Sequence, residues 1–89
     1  MVASMFTAAS DALAAAVVEL RRRAGMTQRQ LAQAVGREQN FVGRIETGQR
    51  RIDLVEWVAI CRACKVDPEI EIAKLVKQIV SLVPQRRRR

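Results

Sequence analysis

Gln39, Asn40 and Arg44 stand within six residues of one another in a chain of 89, and each carries a side chain able to read a base edge. A carboxamide donates and accepts at once on adenine, and a guanidinium forks onto O6 and N7 of guanine. Positive charge is concentrated around them. Residues 21 to 51 carry eight Arg against two Glu, a net of +6, whereas residues 1 to 20 carry −2, residues 52 to 85 carry −1, and the last four Arg bring the chain to +7. A basic patch that coincides with base-reading side chains is the electrostatic footprint of a protein that meets a phosphate backbone; the bland alternative is a solvated face.

Cys61 and Cys64 form C-x-x-C, the spacing of a redox pair or of half a zinc site. The chain contains no His and no second Cys pair, and two ligands do not close a tetrahedral zinc site. Both thiols are therefore expected to pack as small hydrophobes. No nucleophile with a base, no carboxylate pair with a pocket and no phosphate-binding Gly loop stands out. The expectation is a protein that is not an enzyme and has no metal, no cofactor and no small-molecule substrate.

The elements that must position these groups follow from composition and period. Half the chain is apolar (49%), aromatics make up 3%, and there are four Gly and two Pro, which favours an all-α fold over a sheet. A chain of this size buries roughly 60 to 65% of its unfolded surface as one small domain. No stretch approaches the roughly 18 uninterrupted apolar residues of a membrane span. The start, MVASMFTAASD, lacks the basic region of a signal peptide, and the expected location is cytoplasmic.

In chain order, residues 1–9 read as an arm or early helix. The first helix is expected from Ser10, as N-cap, to Ala24, with Leu13, Val17 and Leu20 inward and Gly25 ending it. Thr27 caps the second helix. Leu31 and Val35 share its inner face, Ala32 permits a close helix crossing, and Gly36 supplies the left-handed backbone that stops it. A third helix, about Gln39 to Thr47, is anchored by Val42 and Ile45. Asp53 caps the fourth helix, whose core stripe is Trp57, Ile60, Cys61 and Cys64. Asp67 and Pro68 restart the chain as N-cap and first helical residue of a fifth helix, 68–83. Its apolar residues Ile72, Leu75, Val76, Ile79, Val80 and Val83 exceed what the remaining chain can cover, and the expected cover is the same helix of a second copy. The alternative is that the stripe folds back onto its own core. Residues 84–89 form a basic tail.

LRRRAGMTQRQLAQAVG, then FVGRIETGQRRIDL, then a helix ending in CKVDP, together resemble the phage-repressor and Cro-like, or XRE, family over roughly positions 13 to 72. That resemblance implies a five-helix lambda-repressor-like DNA-binding domain whose second and third helices form a helix-turn-helix, here with an extended C-terminal helix. It implies base readout by Gln39, Asn40 and Arg44 and a backbone contact by Gln28. It also implies that Arg21 pairs with Glu46. Arg50 and Arg51, with Gln49, look suited to phosphate clamping, and further backbone contacts are assigned to Arg37, Gly43 and Thr47. Phe41 either touches the DNA or shields the turn. Glu38 departs from the Ser or Thr of many relatives and places a carboxylate near the groove.

The leading expectation is a homodimeric, sequence-specific regulator of transcription that reads double-stranded DNA with a palindromic operator, acting as a repressor of its own gene. A different class is an antitoxin-type interaction module that neutralises a toxin and binds DNA secondarily. Protein partners implied by these readings are a toxin or the polymerase.

Overall fold

The computed structural model describes residues 5–83, which form five helices: α1 (Met5–Arg23), α2 (Gln28–Ala34), α3 (Phe41–Glu46), α4 (Leu54–Ala63) and α5 (Pro68–Leu82). The basic tail and the first four residues lie outside that range. No helix among the described residues is long and apolar enough to cross a membrane.

Helix starts are written locally. Thr27 accepts from the backbone N–H of Gln30 at 3.1 Å while the Gln30 side chain accepts from the Thr27 N–H at 2.9 Å, a reciprocal capping box. Asp53 and Glu56 repeat the arrangement at α4, and Asp67 caps α5 ahead of Pro68. Three helix ends use glycine in the left-handed region, Gly25 at φ 71° after α1, Gly36 at φ 73° after α2 and Gly48 at φ 80° after α3. After α4 that conformation falls to Lys65, at φ 61°, where a Cβ makes it costly.

One core joins all five helices. Val17 and Leu20 of α1, Leu31 and Ala32 of α2, Val42 and Ile45 of α3, Trp57, Ile60 and Cys61 of α4 and Leu75 of α5 are all buried. The Trp57 indole is 2% exposed, and its N–H donates to the Pro68 carbonyl at 3.3 Å across the α4–α5 junction.

Three boundaries or faces differ from the sequence expectation. α1 begins by Met5, so Ser10 is a helical residue and not the cap; the Ala-rich run has enough intrinsic propensity to carry the helix through it. α3 is shorter than Gln39 to Thr47. Asn40 occupies the N-cap place at φ −86°, ψ −2° without a side-chain cap bond, and the preceding turn is closed by the Phe41 N–H donating to Glu38 O at 3.1 Å. The fifth-helix stripe is divided. Leu75 is 3% exposed in the core of its own chain, and Ile72 and Ile79 pack against that core, so these three are corrected from partner contacts to intramolecular ones. Val76 and Val80 stay exposed, and Val83 is half-buried.

Candidate nucleic-acid interface

Gln28, Arg29, Gln39, Asn40, Gly43, Arg44, Thr47 and Gln49 line one open cleft between α2 and α3. α2 delivers Gln28 at its first turn, where backbone N–H groups and the helix dipole favour an anion. Gln39 and Asn40 sit exposed in the turn just before α3, and Arg44 follows one turn later with its side chain 52% exposed. Thus the three base-reading candidates and four of the backbone candidates share one surface. Arg29 joins them without having been singled out by sequence. The Thr47 hydroxyl donates to Gly43 O at 3.0 Å, so it closes α3 as well as facing the cleft. Arg44 leans toward Glu38, with Nη1 3.4 Å from Oε1 and the Glu38 side chain 67% exposed.

This surface is held in place by Glu46, the last residue of α3. Its side chain is 6% exposed. Arg21 of α1 donates to it twice, Nε to Oε2 at 2.7 Å and Nη2 to Oε1 at 3.1 Å. A third N–H of Arg21 donates to the Met26 carbonyl at 3.0 Å. Gln28 Nε2 donates to Glu46 Oε1 at 2.9 Å, so Gln28 is braced before any ligand arrives. The hydrogen bond to Glu46, with its charge, raises the Arg21 pKa against the opposing effect of burial. The Gln28 side chain lies over Gly43 of α3, where an added Cβ would meet Gln28 Oε1 at 3.4 Å, an ordinary contact.

A helix-turn-helix domain family matches residues 12–75. A solved XRE-family-like protein from Pseudomonas syringae pv. tomato is 37% identical, with a TM-score of 0.74, over 82% of this chain and 89% of that one. The chain belongs to the XRE family of helix-turn-helix regulators. The restriction-modification controller protein C.AhdI from Aeromonas hydrophila is similar too, at 30% identity and a TM-score of 0.66 over 72% of this chain and 97% of that one. The clp gene regulator ClgR from C. glutamicum shares the fold at 21% identity and a TM-score of 0.68, over 79% of this chain and 91% of its own. No curated protein matches the chain.

Within this XRE domain several candidate contacts lie outside the cleft. Phe41 is 3% exposed; the expectation of a DNA contact from its ring is corrected, because α3 turns it inward and two guanidiniums cover it. These are Arg37 and Arg50, with Cζ 4.6 Å and 5.0 Å from the ring centroid. Both arginines also donate to Glu56, a residue that sequence reasoning missed. Arg37 Nη2 donates to Oε2, and Arg50 forks onto the carboxylate at 2.9 Å and 2.8 Å. Hydrogen bonding from Arg50 is the main cause that brings the Glu56 carboxyl down from 4.5 to about 2, against the effect of burial. The readable clue was D-x-x-E at the start of α4, a capping-box pattern, which marks Glu56 as a cap but not as an ion-pair centre. Arg51 is exposed. A further pair, Arg23 with Glu71 at 3.2 Å, ties α1 to α5.

Cys61 and Cys64 are free, buried thiols of the core. Burial pushes the Cys61 thiol up to about 11, which leaves it a negligible thiolate fraction for redox or nucleophilic work near neutral pH.

Proposed function

We propose that this XRE-family chain is a sequence-specific regulator of transcription that binds double-stranded DNA as a homodimer on a palindromic operator and represses its own gene. The observation that carries the reading is the single cleft in which Gln39, Asn40 and Arg44 are exposed side by side at the start of α3 while Gln28 is braced beside them. Inserted N-terminus first into the major groove, α3 offers Gln39 and Asn40 to adenine and Arg44 to guanine. Gln28, Gln49, Thr47, the Gly43 backbone and Arg51 then meet the flanking sugar-phosphate chain. Such contacts fix register without adding sequence information.

Dimerisation is supported by apolar side chains that the fold leaves uncovered. On α5 these include Val76, 46% exposed, and Val80, 64% exposed, with half-buried Val83 just past the helix. Leu54 and Val55 on α4 are exposed at 69% and 78%. A two-fold pairing through α5 sets two recognition helices about 34 Å apart, one turn of DNA. Fluorescence anisotropy on the duplex upstream of the chain's own gene and on a scrambled duplex, over a salt series, tests the reading. Binding that prefers the upstream duplex at physiological salt is expected; equal, steeply salt-sensitive binding to both rejects self-regulation through that site. For the dimer, Val80→Asp should lower the mass seen by sedimentation to that of one chain, and an unchanged mass rejects this surface.

A further inference from the structure

Glu56 binds arginines from both ends of the recognition segment. Arg37 lies in the turn before α3 and Arg50 in the loop after it, and they reach the same carboxylate across 19 and six residues of sequence respectively. The first residue of α3, Phe41, lies beneath both guanidiniums. A carboxylate that accepts from two arginines, and from the Asp53 N–H at 3.0 Å, fixes the two cations beside each other where they would otherwise repel. It also removes one of two positive charges from the surface. The cations are not consumed by this: the Arg37 side chain is 43% exposed and that of Arg50 is 35% exposed. Each guanidinium has five N–H donors, of which Arg37 gives one to Glu56.

We propose that Glu56 is a positioning residue for DNA recognition: it presents Arg37 and Arg50 as a prearranged pair flanking α3, and so widens the gap between selected and arbitrary DNA. The inference rests on the DNA-binding reading above. The pair meets phosphates when α3 is seated in the groove, because both guanidiniums are held at fixed places relative to that helix. On an arbitrary duplex, where α3 is not seated, Glu56 cancels charge that would otherwise attract any phosphate. One carboxylate therefore strengthens the seated complex and weakens the unseated one.

The test uses the full chain and two labelled duplexes of equal length, one recovered by the wild-type protein from a random pool and one scrambled. Affinity is measured across a salt series for wild type, Glu56→Gln and Arg37→Met. Gln retains an oxygen for the helix cap but not the charge, so helix capping alone predicts no change in preference. For Glu56→Gln, affinity for the selected duplex should fall about tenfold and affinity for the scrambled one should rise about threefold. The salt slope on the scrambled duplex should steepen by about one unit, as for roughly one more neutralised phosphate. An unchanged ratio of the two affinities, whatever the slope, overturns the proposal. Circular dichroism accompanies each variant. If Glu56→Gln is unfolded, Arg37→Met decides: a larger loss on the selected duplex than on the scrambled one upholds the prearranged pair, and equal loss on both overturns it. A wild-type protein that recovers no duplex from the pool rejects the DNA reading and the inference with it; recovery with an unmoved Glu56→Gln ratio rejects the inference alone.

Discussion

Glu46 and Glu56 are both buried carboxylates that gather arginine, one at the end of α3 and the other on the first turn of α4, yet they spend it differently. Glu46 takes Arg21 from α1 while that side chain is only 14% exposed, and it braces Gln28 as well. Its arginine belongs to the fold. Glu56 takes two arginines that keep 43% and 35% of their side chains in solvent, so its cations are restrained but still on offer. Net charge alone does not distinguish these cases. What separates a structural arginine from a presented one is how much of the guanidinium its carboxylate leaves outside.

The largest effect that separates the two centres is expected at Glu46. Replacing it by Ala leaves Arg21 with an uncompensated, mostly buried charge, at a cost of about 3 kcal/mol. For a domain of this size that lowers the thermal midpoint by roughly 12 °C or more, and Gln28 loses its brace. A variant that melts like wild type but no longer binds DNA would reverse the roles assigned to the two centres. Next comes Arg44→Ala, which should weaken the selected complex by about 1 to 3 kcal/mol and relax one base pair in each half-site. Its stability should stay within about 0.5 kcal/mol of wild type. Equal losses on selected and scrambled duplexes would move Arg44 from readout to the backbone.

Acid sharpens the comparison from the side of stability. Arg50 and its neighbours depress the folded-state pKa of Glu56 to about 2 from 4.5, and Arg23 and Lys74 lower that of Glu71. A depressed carboxylate contributes stability that is present in full above its unfolded value and drains away as pH falls toward its folded one. Urea melts should therefore show the protein weakening below about pH 4.5 and continuing to weaken toward pH 2. Glu56→Gln should fall less steeply over that window, and an identical profile would refute the assigned ion pairs. The smallest effect serves as the control. Lys65→Gly, remote from both centres in sequence, relieves a left-handed backbone at φ 61° and should add about 1 kcal/mol of stability. DNA affinity should not change with it.

Local features were legible and distant pairings were not. Thr27, Asp53 and Asp67 announce their helices because a cap is decided within three residues, and the observed caps are those residues. Most of the cleft was legible for a similar reason: the positions of Gln28, Gln39, Asn40, Gly43 and Arg44 follow once the turn at Gly36 is placed. The start of α3 expected at Gln39 falls two residues early, because Gln39 and Asn40 lie in the turn and Asn40 takes the N-cap place without a side-chain bond to mark the boundary. The fate of Leu75 depended on whether α1 and α4 come near enough to cover it, which a helical period does not encode. Arg21 and Glu46, 25 residues apart, were paired only through the family resemblance. Arg37 and Glu56 had no such guide, and so an arginine assigned only to the DNA backbone is also paired with a carboxylate 19 residues away.

The placement of Trp57 has a spectroscopic consequence. The chain contains one Trp and no Tyr, so its near-ultraviolet emission comes from a single indole, sealed in the core and bonded to Pro68 O. That indole is not among the side chains that line the cleft. Its emission is therefore expected to lie toward the blue, to resist aqueous quenchers, and to move to the red only as the helices separate. A titration with unlabelled duplex should leave the spectrum in place, so intrinsic emission reports folding while a dye on the DNA reports binding in the same cuvette.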